Sequence, residues 1–195
     1  MILLIWTLSA MISKDLGTDS YLAELCIGRV AAAWLPLMFF FIAVMISLLI
    51  GTVWGTMGIL IPLAVGMVPV FLDMTAPIVL EQAPILLPLL AAVISGSMIG
   101  NHFSPIADIM FMSSASAGAY HLDLVKSQAS FAAPALVSSA AAFACVGIFV
   151  ERYGTTIAAL ASLGIGLVLN IFFLHVLTWA WRRWGKKTMT PRRTG

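Results

Sequence analysis

A histidine, a serine, a proline and an aspartate fall within one short run, Ser95-Gly-Ser-Met-Ile-Gly-Asn-His-Phe-Ser-Pro-Ile-Ala-Asp108, with long apolar sequence on either side. An ionised carboxylate at membrane depth costs about 3 kcal/mol on insertion scales unless something pairs with it, so Asp108 is a functional candidate. A carboxylate shielded from water takes up a proton more readily, and a bound cation displaces that proton. One such group can hold a proton or a sodium ion but not both, and that competition is the chemistry of cation/proton exchange. Asp108 is therefore the candidate sodium and proton site. Asn101, Ser104, Thr52 and Thr56 are the neutral oxygen donors suited to complete the shell of a small hard cation. His102, beside Asn101, is either a hydrogen-bonding partner for a neighbouring helix or a proton-transfer group. His175 reads as structural and His121 as a solvated loop residue.

These side chains need a membrane scaffold around them. Of the 195 residues, 62% are hydrophobic and 9% charged, which excludes an ordinary water-soluble domain. No Asp, Glu, Lys or Arg occurs in residues 31–72, 83–107 or 153–181. Such stretches cross lipid as helices or as closed barrels, and the alternation of barrel strands is missing. The expected fold class is all-α: a polytopic membrane helical bundle forming a single transmembrane domain over residues 1–195.

The apolar segments are 1–12, 31–72, 85–117, 130–150 and 157–181. A crossing needs about 20 residues, so the last two read as single spans and the first as a shortened helix. Two are interrupted, one by Gly51-Thr-Val-Trp-Gly-Thr-Met-Gly58 and the other by Gly100-Asn-His-Phe-Ser-Pro105. Glycine weakens a helix and proline removes a backbone donor, so both stretches are expected to unwind. Gly51, Gly55, Gly58, Gly100 and Pro105 then supply the break backbone, and Trp54 walls the cavity between the breaks. Two discontinuous helices around one polar cavity resemble one repeat of an inverted-repeat secondary transporter.

Residues 13–30 read as a polar connector holding a short interfacial helix, capped by Thr18 or Asp19 with Leu22 and Leu25 on its apolar side. Residues 73–84 and 118–128 read as polar loops. Cys26 and Cys145 lie in different settings, so no disulfide or metal cluster is expected. The tail, 182–195, carries Arg182, Arg183, Lys186, Lys187, Arg192 and Arg193. Cations beside a span set orientation, so the tail is placed in the cytoplasm rather than on nucleic acid. Segment 31–72 is expected to cross once as a broken helix, leaving only Arg152 outside; a re-entrant hairpin would instead put Lys14 and Arg29 outside. No nucleotide loop, nucleophile triad or cofactor motif is present, so the chain reads as no enzyme and needs no cofactor beyond transported Na+ and H+.

Three stretches resemble the NhaC-like sodium/proton antiporters. Gly51-Thr-Val-Trp-Gly-Thr-Met-Gly-Ile-Leu-Ile-Pro62 is similar to their G-T-x-W-G-T-x-G-x-x-x-P stretch, and Gly100-Asn-His-Phe-Ser-Pro-Ile-Ala-Asp108 to their G-D-H-x-S-P-I-S-D stretch. Ser113-Ser-Ala-Ser-Ala-Gly-Ala-Tyr-His-Leu-Asp123 follows their S-S-x-x-x-G-x-x-H-x-D continuation. The chain departs at Asn101, where the pattern has an acid, and at Ala107, where it has a serine. The resemblance implies the C-terminal half of a multi-pass inner-membrane transporter that exchanges sodium, or in some members an organic anion, against protons. It implies Asp108, His102, Ser104 and residues 52–56 at the ion site, and a second half-chain or second copy as partner in the bilayer. The rivals are an organic-acid exchanger, with Asn101, Ser104 and Thr56 on carboxylate oxygens, and a nontransporting membrane subunit or remnant.

Overall fold

The computed structural model describes residues 2–27, 30–72 and 83–188, and these contain helices and no strand. The helices are α1 (Ile2–Ala10), α2 (Thr18–Cys26), α3 (Leu35–Ile50), α4 (Val53–Phe71), α5 (Leu86–Phe103), α6 (Asp108–Ala117), α7 (His121–Tyr153) and α8 (Thr155–Thr188). A π-turn (Met11–Asp15) extends α1, and a 3-10 turn (Ala32–Trp34) leads into α3. Five stretches are long and apolar enough to cross a membrane: Ala32–Ile50, Val53–Phe71, Leu86–Phe103, His121–Val150 and Thr155–Trp179. The helical-bundle expectation therefore holds.

Helices α3 and α5 form the most extensive pair. A Cβ added at Gly96 would lie 2.5 Å from the Phe40 carbonyl oxygen and 2.9 Å from Ala43 Cβ, and one at Gly100 would meet the Val44 carbonyl and lie 2.9 Å from Ser47 Cβ. Small residues four apart on both helices thus let the backbones touch, which drives association where lipid is as apolar as the side chains. Because Gly96 faces Phe40 and Gly100 faces Val44, the two helices run parallel. Across the seam the buried Ser47 hydroxyl donates to the Ser97 carbonyl at 2.5 Å, and Ser97 Oγ donates back to Val93 at 2.7 Å. Interhelical hydrogen bonds in membranes are worth about 0.6 kcal/mol on average. Ser47→Ala is accordingly expected to lower unfolding stability by about 0.6–1 kcal/mol in detergent denaturation, leaving the seam glycines packed.

Helix α7 runs antiparallel to α3, with Gly147 against Ala33 and the Phe143 ring 5.3 Å from that of Phe40. Gly154, at φ 79°, turns the chain into α8, which packs chiefly on α7 and exposes Leu160, Leu163, Leu167, Val168 and Ile171. The core joins Phe39, Leu60, Met67, Leu89 and Val93 from α3, α4 and α5.

The elements differ from several expectations. The interruption in 31–72 is only Gly51–Thr52, and Gly55 and Gly58 are helical within α4. Gly100 is likewise helical, and the second break is 104–107. These glycines either serve close packing, as at Gly100, or sit in a continuous helix. Segment 31–72 holds two span-length helices rather than one broken crossing, and the parallel run of α3 and α5 requires a return that α4 has the length to make. Gly17, not Thr18 or Asp19, precedes α2, without a side-chain cap; that helix buries Ala23 and Cys26 while Leu25 is exposed. Residues 121–128 are the first turns of α7 rather than a loop. Most of the 73–84 loop and the end of the basic tail, 189–195, lie outside the described residues.

Candidate functional site

The two breaks meet. Helix α3 closes on Gly51, whose N–H donates to the Ser47 carbonyl at 2.8 Å and whose φ of 74° is left-handed. A Cβ at this position would lie 2.8 Å from the Ile106 carbonyl oxygen, inside the second break. Only glycine combines that backbone angle with that approach. Thr52 and Thr56 therefore flank the crossing on one side, and Ser104, Pro105 and Asp108 on the other.

Thr56 is fully buried, and its hydroxyl donates to the Thr52 carbonyl at 3.0 Å, leaving the oxygen lone pairs open. Thr52 is half-buried with extended backbone. On the α5 side Asn101 is 2% exposed and Ser104 0% exposed. Neither Asn101 Oδ1 nor Ser104 Oγ has a hydrogen-bond partner among the described residues. An unmet buried polar group costs about 1–3 kcal/mol, so both are open to a further partner: Asn101 Oδ1 to an electropositive one, and Ser104 Oγ to a donor or an acceptor. A small cation fits both, since both atoms are hard oxygen donors.

Asp108 opens α6, where the helix dipole favours its charge, and its Oδ1 accepts the Ile109 N–H at 2.7 Å. It is exposed, as are Ile106, Ile109, Phe111 and Met112 around it. His102 is half-buried in the last turn of α5. Trp54 is 71% exposed. At Gly51 and Ile106 the breaks are in contact rather than separated by a shared cavity.

His121 is the residue that sequence reasoning misplaced. At the start of α7 its Nε2 lies 2.6 Å from the Pro105 carbonyl oxygen, its Nδ1 lies 3.2 Å from Ser114 Oγ, and its ring stacks on Phe111 with centroids 4.3 Å apart and planes 5° apart. It is no solvated loop side chain but a tie from α7 across α6 to the second break. The signal was present in the Ser113–Asp123 stretch, where Ser114 stands seven residues before the imidazole.

Residues 1–148 match the Na+/H+ antiporter family. The chain belongs to that family. This antiporter-family chain is also 30% identical over 167 residues to a protein of Haemophilus influenzae described only as uncharacterized; the match covers 86% of the chain and 29% of the relative. The chain thus spans about 29% of the length of the curated relative it matches. No solved structure matches it. Family membership and five membrane-capable helices make it a multi-pass membrane protein.

Proposed function

We propose that this chain is a site-bearing part of a sodium/proton antiporter of the NhaC-like kind, corresponding to its C-terminal half. The observation that carries the reading is the pair of buried, unpartnered oxygens, Asn101 Oδ1 and Ser104 Oγ, at the end of α5 that leads into the second break, whose Ile106 approaches Gly51. In this reading sodium is held by those two oxygens with the Thr52 and Thr56 hydroxyls, and Asp108 supplies the full negative charge. Protonation of Asp108 removes the charge that holds the ion, so sodium leaves as the proton arrives. Exposure of the site to alternate sides turns the competition into antiport, and no enzymatic step or cofactor is involved.

Asp108 lies exposed beside the exposed apolar side chains of Ile106, Ile109, Phe111 and Met112, an apolar face left uncovered between two spans. A second protein surface, from the missing part of a longer transporter or from a second copy, would cover it. We place the protein in the bacterial inner membrane with its C-terminus in the cytoplasm. Five crossings put Lys126 and the six tail cations on one side and Lys14, Arg29 and Arg152 on the other, an excess that favours a cytoplasmic tail.

The test is sodium-driven proton flux in proteoliposomes, paired with sodium-dependent thermal protection of the purified chain. Protection and flux support an antiporter; protection without flux supports a binding half that works with a partner; neither, from folded protein, sinks the reading. Asn101→Asp restores the acid of the resembling pattern. It is expected to lower the half-saturating sodium concentration about tenfold, the ~1.4 kcal/mol by which a charged ligand exceeds a neutral one. An unchanged sodium dependence would remove Asn101 from the site.

A further inference from the structure

We infer that His121 is the positioning residue of the second break: by holding the Pro105 carbonyl it fixes the backbone that carries Ser104 and leads into Asp108. The inference rests on the ion-site reading for its functional consequence, but not for its structural one.

A carbonyl oxygen only accepts, so the 2.6 Å contact assigns the proton to His121 Nε2. Nδ1 lies 3.2 Å from the Ser114 hydroxyl, which carries one proton and is also 3.0 Å from the Phe111 carbonyl, so it donates to the ring or to its own helix but not to both. Stacking on Phe111 fixes the ring plane. Three contacts from 105, 111 and 114 therefore leave the imidazole one orientation, and that orientation points Nε2 at the break.

The break has little else to hold it. The backbone links across it are Ser104 N–H to Asn101 and Ala107 N–H to Ser104, both at 3.3 Å, the long end of the hydrogen-bond range. Pro105 has no N–H to contribute, and its carbonyl falls outside both helical ladders. The donor that meets this carbonyl comes from sixteen residues away in sequence. Through it, α7 sets where Ser104 Oγ and the first turn of α6 stand relative to Gly51.

The test is hydrogen–deuterium exchange of residues 104–110 in lipid nanodiscs. His121→Gln keeps an amide donor at the reach of Nε2, whereas His121→Asn is one methylene short and places its amide near Nδ1. Exchange across 104–110 is expected to quicken about tenfold in the Asn variant, to stay within about threefold of wild type in the Gln variant, and to remain unchanged along α3 in both. Equal exchange in the two variants, or no change in either, overturns the inference. If the Asn variant unfolds globally, seen as fast exchange along α3, Ser114→Ala decides. It leaves the Nε2 bond but frees the ring, and is expected to quicken exchange at 104–110 about threefold; no change there overturns the inference.

In sodium flux or sodium protection, His121→Asn is expected to raise the half-saturating sodium concentration several-fold with the maximal response retained, and His121→Gln to restore it. A sodium response absent from wild type and variants alike counts against the antiporter reading, while the exchange result stands by itself.

Discussion

Gly51→Val is expected to destabilise the protein by about 2–6 kcal/mol and to abolish any sodium response. Two terms make up that figure. A β-branched residue at φ 74° takes on backbone strain of about 1–3 kcal/mol, and a Cβ placed 2.8 Å from the Ile106 carbonyl forces a rearrangement worth about 1–3 kcal/mol more. The two terms separate experimentally. Asparagine tolerates the left-handed region, so Gly51→Asn keeps the steric term and sheds most of the strain. Denaturation in detergent should therefore order the proteins wild type, Gly51→Asn, Gly51→Val. The sodium response should fail in both variants, because any Cβ pushes the two breaks apart. A Gly51→Val protein as stable as wild type would show that the breaks do not meet as described.

The same glycine shows how far the fold was legible in advance. Uncharged stretches as long as a bilayer is thick read as spans, and the missing alternation of barrel strands makes those spans helical, so the helical bundle is legible in the sequence. The sizes of the breaks did not follow. Glycine marks a left-handed turn at Gly51 and a helix contact at Gly96 and Gly100, and the letter is the same each time. What separates these roles is the partner helix: Phe40, Val44 and Ser47 lie more than fifty positions from the glycines they touch, and no local pattern records that pairing. Segment 31–72 was read as one crossing for a related reason, since two residues suffice to reverse a chain when one of them is a left-handed glycine.

The candidate site was legible in kind but not in arrangement. Residue types name oxygen donors, and Asn101, Ser104 and Thr56 are buried. Trp54 stands exposed in the first turn of α4, and its place among the glycines in the sequence does not record which face of that helix it occupies. His121 was lost because the polar residues around it resemble a loop. Those polar residues instead form the exposed first turns of a helix that extends beyond its apolar part, a distinction that charge patterning cannot make. The tie to Pro105 also joins two residues whose separation reflects the length of α6, which no spacing rule anticipates.

Asp108→Asn is expected to abolish sodium/proton exchange at every pH while leaving the fold nearly untouched. Asp108 is the only acid between Ala83 and Leu122, so the substitution removes the one full negative charge in the stretch of sequence that holds the second break. The structural loss is small. Asparagine has nearly the same shape, its Oδ1 still accepts the Ile109 N–H, and the lost charge–dipole term at the start of α6 is about 0.3–1 kcal/mol. Stability and function should thus part company: melting within about 1 kcal/mol of wild type, with no proton movement driven by sodium. The neutral donors Asn101, Ser104 and Thr56 cannot compensate, because an amide or hydroxyl contributes a dipole where the cycle needs a group that gains and loses a proton. Asp108→Glu keeps that proton chemistry and is expected to retain exchange with a shifted sodium dependence, since the longer side chain moves the charge. Where the chain alone carries no flux, the same comparison is made on sodium-dependent protection, which Asp108→Asn should weaken and Asp108→Glu should keep. Exchange or protection that survives Asp108→Asn intact would place the exchange charge elsewhere, with Asp123 at the start of α7 the next acid to test.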